Sequence, residues 1–199
     1  MSQFEIIAEW EQHQACLCAL PNETSGWDIK DLDLVYDEIQ YFIEKVIDRG
    51  QQRPFVLAGD NPYKPRLKKK FGHHITLLKH PYKDVWFRDI GPVNVKDRSG
   101  TAMLLNPKFN AWGQKYDFTL DQAVSSKIFR GQRDISDIFE GGALESNGEV
   151  LIVNEKCFDL PRGYKSFQEA YDLLTNTFNL RIIPLNLQPL LGDDTDGHI

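Results

Sequence analysis

The order of secondary-structure signals in residues 142–184 constrains the fold most. Two apolar runs, 142–146 and 149–153, flank Asn147-Gly148, a dipeptide that strongly favours a two-residue hairpin turn. A helix follows, because apolar side chains recur with helical spacing at Phe167, Tyr171, Leu174 and Phe178. A further apolar run over 181–184 predicts one more strand. Two paired strands, a helix and a strand require a mixed α/β fold.

Related signals precede this segment. A hairpin is predicted over 92–95 and 101–105, with a turn at 97–100, and a helix follows through Leu120, Val124 and Ile128. Upstream, the pattern predicts three strands and two helices: strands at 14–20, 54–58 and 75–78, a helix over 31–49 and a short basic helix over 60–71. The order strand, strand, helix, strand recurs loosely, which favours an internally repeated α/β fold. No linker or low-complexity tract in the sequence indicates a domain boundary.

The charge balance bears on the class of partner. The chain has 23 lysines and arginines against 29 aspartates and glutamates, a net charge of −6. Proteins that bind nucleic acid usually carry a basic face, so nucleic acid is not expected as a partner. A small cationic substrate suits an acidic protein, although an acidic protein without a cationic ligand would have the same composition.

Cysteine usage and hydropathy indicate the compartment. The three cysteines, Cys16, Cys18 and Cys157, are an odd number without CxxC spacing, which indicates free thiols in a reducing environment. Cys16 and Cys18 share one face of a predicted strand, and all three cysteines are expected in the core. No segment reaches the roughly 20 apolar residues that span a bilayer, and the first residues do not resemble a signal peptide. We therefore expect a cytoplasmic protein that does not associate with membranes.

Two internal clusters carry side chains suited to chemistry. The segment 84–92 places Trp86, Arg88 and Asp89 directly before a predicted strand and a Gly-Pro stop, where site residues often lie. The alternative is a surface ion pair between Arg88 and a neighbouring aspartate. The second cluster is Glu140 followed by two glycines, which would permit close approach of a backbone or ligand. The alternative there is an acid in a surface turn.

The third cluster, residues 192–198, ends the sequence. It combines Asp193, Asp194 and Asp196 with His198, which could bind a cation or transfer protons. The alternative is a solvated polar loop. A calcium loop would begin with an acid where Gly192 stands, and zinc would require a second histidine or cysteine at ligand spacing. No metal site is therefore predicted.

Five motifs together resemble a known family. In order they are residues 8–13 (AEWEQH), 86–92 (WFRDIGP), 109–113 (FNAWG), 140–142 (EGG) and 193–198 (DDTDGH). The set is similar to the agmatine deiminase and bacterial-type peptidylarginine deiminase family and covers nearly the whole chain. The resemblance implies a pentein fold, an α/β propeller of ββαβ-type units around a pseudo-five-fold axis.

The resemblance also implies roles for individual residues. Asp89 would bind the substrate guanidinium, Glu140 would supply a second acidic group, and His198 would be the general acid and base. The residues expected around the substrate are Trp86, Arg88, Trp112, Asp194 and Asp196, with the two tryptophans helping to wall the pocket. The reaction would require neither a metal nor another cofactor.

The family pattern continues past the point where this sequence stops. It includes another aspartate two positions after the histidine and a nucleophilic cysteine near the C-terminus, and both are absent from the 199 residues. We therefore expect 1–199 to be a partial single deiminase domain, an incomplete propeller that is inactive alone. Exposed sheet edges and apolar faces would favour self-association into a homo-oligomer.

The expected reaction of the full-length enzyme is hydrolysis of agmatine to N-carbamoylputrescine and ammonia through a covalent cysteine thiouronium intermediate. This is a C–N hydrolase step of putrescine biosynthesis and polyamine metabolism, and its partner is a small cationic guanidino substrate. The close alternative is deimination of peptidyl-arginine or free arginine. An alternative of another class is a non-catalytic pentein that only binds such a ligand.

Overall fold

The computed structural model describes residues 4–50 and 52–187. These residues form two compact units. One contains 4–11 and 88–187, and the other contains 12–87. Among the described residues the larger unit has two sheets and the smaller unit one, and each unit has its own apolar core.

Ten strands and seven short or medium helices make up the described chain. The strands are β1 (Phe4–Ile6), β2 (Ala15–Ala19), β3 (Arg53–Leu57), β4 (Thr76–Leu78), β5 (Val93–Asp97), β6 (Ala102–Lys108), β7 (Arg133–Ile138), β8 (Leu144–Ser146), β9 (Val150–Asn154) and β10 (Arg181–Leu185). The helices are α1 (Leu32–Arg49), α2 (Lys64–Phe71), α3 (Phe87–Ile90), α4 (Ala111–Gln114), α5 (Thr119–Gln122), α6 (Val124–Ile128) and α7 (Phe167–Thr177). None of the helices described here is long and apolar enough to cross a membrane.

The larger unit contains the predicted order of elements twice. β5 and β6 form an antiparallel hairpin, α5 and α6 follow, and β7 pairs parallel to β6. β8 and β9 form a second antiparallel hairpin, α7 follows, and β10 pairs parallel to β9. Gly148 has φ +89° in the turn of the second hairpin, as a tight turn of this kind requires. The predicted strand, strand, helix, strand repeat is confirmed in this unit.

Local sequence explains why α7 starts where it does. The side chain of Ser166 accepts a hydrogen bond from the Glu169 amide, and the Glu169 carboxylate accepts one from the Lys165 amide. The first bond satisfies an amide that the first turn of a helix leaves without a partner, and the second ties the residue before the cap to that turn. The helix buries Ala170 and Leu174 against the core of the larger unit. Other fully buried members of that core are Val95, Leu105, Phe139, Ala143, Leu151, Val153 and Cys157.

The smaller unit has a three-stranded parallel sheet in the order β2-β3-β4. Helix α1 ends at Gly50, whose φ of +65° is the left-handed conformation of a helix stop. Pro65 lies in the first turn of α2, where its missing amide proton is not needed. Cys16 and Cys18 are half-buried rather than fully in the core, and burial raises the pKa of both thiols.

Two features of the fold differ from the sequence-based expectation. The helix predicted through Leu120, Val124 and Ile128 is divided into α5 and α6. Strands β1 and β7 were not predicted, because β1 has three residues and β7 carries polar side chains on much of its length. Both strands complete the four-stranded sheet of the larger unit, in the order β1-β5-β6-β7.

Candidate active site

Asp89 is a buried carboxylate held by two donors. It lies on the single turn α3, and the residue is 5% exposed. Its Oδ1 accepts a hydrogen bond of 2.8 Å from the Gly142 amide, and its Oδ2 accepts one of 3.1 Å from Nε1 of Trp112. The two bonds come from segments far apart in the sequence and use one oxygen each. The orientation of the carboxylate is therefore fixed by the fold.

Glu140 is a second buried carboxylate in the same unit, 1% exposed. Its Oε1 accepts a hydrogen bond of 3.2 Å from Nε of Arg162. Its Oε2 is buried and has no hydrogen-bond partner among the described residues. An acceptor that is shielded from water and unpaired is costly, and each such atom in a folded protein calls for an explanation, such as a catalytic role or a bound water or ion.

Opposing influences act on the pKa of Glu140, and the largest are burial, the charge of Arg162 and the charge of Asp89. Burial raises the pKa of Glu140, the Arg162 guanidinium lowers it, and the nearby Asp89 carboxylate raises it, with a result of about 7. Burial dominates because an apolar environment disfavours the charged form. Asp89 is near because its carboxylate accepts the amide of Gly142, two residues after Glu140, so the two negative charges repel each other. A cation between them would remove this repulsion and favour ionisation of both.

The glycine after Glu140 permits a close backbone approach. A side-chain carbon on Gly141 would overlap the carbonyl oxygen of Arg88, so no larger residue fits without movement. The carbonyl oxygen of Gly141 in turn accepts a hydrogen bond of 3.3 Å from Nε of Arg88. The sequence predicted close approach at this glycine pair, and the structure confirms it with backbone as the partner.

Arg88 connects several parts of the larger unit. Its guanidinium also bonds the Leu144 carbonyl and forms ion pairs with Glu9 and Glu145. Neither carboxylate is the aspartate partner considered from sequence. The guanidinium is thus engaged by protein acceptors, and its predicted contact with substrate stays a prediction.

Trp112 lies on a turn with unusual backbone geometry. Ala111, Trp112, Gly113 and Gln114 in α4 all have positive φ, at 53°, 50°, 89° and 68°. Left-handed turns of this kind are unfavourable for residues with a Cβ, by roughly 1–2 kcal/mol each. The side chain of Asn110 caps the turn by accepting from the Gly113 amide at 3.1 Å. The turn buries the indole of Trp112 and directs its N–H to Asp89.

Trp86 lies in the smaller unit and is 56% exposed. Its ring centroid is 6.3 Å from that of Trp27. Its role in walling a substrate pocket stays a prediction. His198, Asp194 and Asp196 lie outside the described residues, as does the rest of the terminal cluster.

Arg162 is the site residue that sequence reasoning did not place. Its side chain is 1% exposed and pairs with Glu140 and with Asp159, at 3.2 and 3.3 Å. A single arginine in a Pro-Arg-Gly segment reads as a surface turn, so the sequence offers no signal of its burial. A carboxylate oriented by two donors, beside a second one with an unpaired buried oxygen, suits a planar cation. A guanidinium presents its N–H groups in a fork that matches carboxylates. No cluster of potential metal ligands occurs among residues 4–50 and 52–187.

Residues 5–199 match the family of Porphyromonas-type peptidyl-arginine deiminases. The chain belongs to this family. A relative in Legionella pneumophila (strain Paris), named "Putative agmatine deiminase", is 29% identical over 209 residues that cover 98% of this chain and 58% of the relative. A relative of the same name in Pectobacterium atrosepticum is 25% identical, over 98% of this chain and 55% of its own length.

Solved deiminases share the fold. A cysteine-to-serine variant of C. jejuni agmatine deiminase with substrate bound superposes with a TM-score of 0.83 at 28% identity, covering 98% of this chain and 60% of that one. The agmatine deiminase of Enterococcus faecalis gives a TM-score of 0.83 at 20% identity, covering 100% of this chain and 58% of that one. The fold is therefore that of the penteins, as predicted. The chain spans less than two thirds of the length of these deiminases and holds the corresponding share of the fold.

Proposed function

We propose that the full-length protein is a guanidine deiminase, with Asp89 and Glu140 as the carboxylates that hold the substrate guanidinium. The observation that carries the proposal is the buried, unpaired Oε2 of Glu140 in a site where Asp89 is already oriented by two donors. A guanidinium would supply the missing donor and the missing positive charge together. Membership of a deiminase family supports the same chemistry.

The family pattern implies a nucleophile, a general acid and base, and carboxylates that hold the substrate. A cysteine thiolate of the full-length protein adds to the guanidinium carbon, and ammonia leaves with a proton from His198. The carbon is then bonded to sulfur as a thiouronium. Water, deprotonated by the same histidine, adds to that carbon, and the thiolate leaves with the ureido product released. Asp89 and Glu140 hold the planar group in place throughout.

Agmatine is the substrate we favour. Peptidyl-arginine and free arginine carry a carbonyl or carboxylate beside the guanidino chain, and a free carboxylate calls for a cationic partner. The two arginines that contact the candidate site are engaged with the protein's own acids: Arg162 with Glu140 and Asp159, and Arg88 with Glu9 and Glu145. The products would be N-carbamoylputrescine and ammonia, which makes the enzyme a C–N hydrolase of cytoplasmic polyamine metabolism.

The 199-residue polypeptide is not expected to turn substrate over by itself. Its cysteines are Cys16, Cys18 and Cys157, and none of them lies where the family pattern has its nucleophile, near the C-terminus of the longer protein. Cys157 is buried in the apolar core of the larger unit. Thiolate formation is disfavoured in apolar surroundings.

The test is an ammonia-release assay of the full-length protein on agmatine, free arginine and a peptidyl-arginine. We expect ammonia from agmatine, with a value of kcat/KM at least about tenfold above the other two. Release from arginine or the peptide instead would assign the alternative substrate. No ammonia from any of the three, combined with calorimetric binding of agmatine, would identify a non-catalytic binding protein.

A further inference from the structure

We propose that Arg162 is a positioning residue, which fixes Oε1 of Glu140 so that Oε2 alone is presented to the substrate guanidinium. This inference rests on the proposed function and names a residue for the same site. Its basis is the geometry of the loop from Asp159 to Tyr164, which lies between β9 and α7 and contacts both Glu140 and the turn that orients Asp89.

The loop holds Arg162 by its own backbone. The carbonyl oxygen of Asp159 accepts hydrogen bonds from the amides of Arg162 and Tyr164, at 3.2 and 3.0 Å. Oδ1 of Asp159 accepts the Arg162 amide at 3.1 Å and also pairs with its guanidinium at 3.3 Å. Gly163 takes the left-handed φ of +99° that closes the turn. The backbone amide and the guanidinium of Arg162 are therefore both bonded to Asp159.

The same loop contacts the turn that orients Asp89. The carbonyl oxygen of Pro161 accepts a hydrogen bond of 3.4 Å from the side chain of Asn110, the residue that caps the left-handed turn. Gly113 lies so close that a Cβ there would be 2.6 Å from the Pro161 side chain. The same left-handed turn contains Trp112, which donates the hydrogen bond to Asp89. One loop thus supports the hydrogen-bonding of both carboxylates.

The charges facing Glu140 explain why an arginine is needed there. Asp89 and the carboxylate of Glu140 repel each other, the hydroxyl of Tyr164 lies near enough for Glu140 to raise its pKa, and Asp159 neutralises part of the Arg162 charge. Arg162 is the cation that opposes burial and Asp89. Without it, burial and Asp89 would raise the pKa of Glu140 further, and Oε1 would lose its hydrogen-bond donor.

The first experiment does not depend on catalysis. A double-mutant cycle of Arg162→Gln and Glu140→Gln in the full-length protein is measured by urea unfolding at pH 5 and pH 8. At pH 8 the cycle is expected to show favourable coupling of about tenfold or more in the unfolding constant, and at pH 5, where Glu140 is protonated, much less. Equal coupling at both pH values would overturn the charge-positioning role.

The second experiment uses the pH dependence of kcat/KM for agmatine. In Arg162→Gln the acidic limb is expected to move upward by about one pH unit or more, since an opposite charge at this distance lowers a carboxyl pKa by roughly 1–3 units. Arg162→Lys should return the limb most of the way, which also decides the question if the glutamine variant does not fold. Arg130→Gln, at an exposed site in the same unit, should leave the limb unchanged.

The outcomes separate the two proposals. Coupling at pH 8 without ammonia from the wild-type protein would refute the deiminase function and leave the positioning role standing. If the wild-type protein releases ammonia but the double-mutant cycle shows no coupling, the positioning role alone is refuted. The same holds if Arg162→Gln loses activity but the acidic limb of its kcat/KM profile does not move.

Discussion

Replacement of Glu140 by glutamine makes the unliganded protein more stable at alkaline pH. The substitution keeps an oxygen that can accept from Arg162 and removes the ionisation of a buried acid. Active-site acids are often held in environments that favour ligand binding over stability, and removing the acid releases that cost.

The magnitude follows from the pKa of Glu140. Its ordinary value is 4.5 and its value in the folded protein is about 7. Below pH 4.5 both folded and unfolded chains are protonated and ionisation costs nothing. As the pH rises from 4.5 to 7 the unfolded chain loses its proton first, so the folded state is progressively destabilised, and above 7 the cost is constant. The cost is about 1 kcal/mol at pH 5 and about 3 kcal/mol at pH 8.

The assay is urea unfolding of the wild type and Glu140→Gln at pH 5 and pH 8, without substrate. The stability advantage of the variant is expected to grow by about 2–3 kcal/mol between these pH values. Glu149→Gln, an exposed acid of the β8–β9 turn, is the matched control and should change stability by less than about 0.5 kcal/mol. An advantage of Glu140→Gln that is the same at both pH values, or that shrinks at pH 8, would refute the reasoning.

Three further substitutions test the support of the site by unfolding experiments and kinetics. Gly141→Ala should lower the free energy of unfolding by about 2 kcal/mol or more, because the added methyl group meets backbone atoms. Gly131→Ala, where the added methyl group has open space, should cost only about 1 kcal/mol for its positive φ. Equal losses in the two variants would contradict the close approach at Gly141. Gln114→Gly should stabilise by up to about 1 kcal/mol by relieving a left-handed φ, and Gln122→Gly in a right-handed turn should destabilise by a similar amount. Trp112→Phe keeps an aromatic ring but removes the N–H donor to Asp89, so the KM for agmatine should rise about tenfold or more. An unchanged KM would show that this hydrogen bond does not position the Asp89 carboxylate.

The parts of the site that sequence could predict are those with local signals. Asp89 and Glu140 stand next to Gly-containing turns at the start of strands, and polar residues there are commonly exposed to ligands. Both carboxylates lie in one unit, and Asp89 accepts a hydrogen bond from the Gly142 amide, two residues after Glu140. The hairpin and helix signals likewise predicted β8, β9 and α7 close to their observed bounds.

The parts that sequence could not predict depend on contacts between distant segments. Nothing in Ala111, Trp112 and Gln114 favours positive φ, and the turn exists because surrounding contacts such as the Asn110 cap determine it. The burial of Arg162 depends on an acid 22 residues away in the sequence. Local propensity carries no information on either arrangement.

The most direct measurement of the central claim is the number of protons released when agmatine binds. Calorimetric titrations would use a cysteine-to-serine form of the full-length protein, the type of variant in which the C. jejuni relative was solved with substrate bound. Runs in buffers of different ionisation enthalpy at pH 6 and pH 8 give the proton count. Because Glu140 has a pKa of about 7 and must ionise to hold a cation, close to one proton should be released at pH 6 and almost none at pH 8. Binding without proton release at pH 6, or release that persists in Glu140→Gln, would contradict the claim that this carboxylate receives the guanidinium.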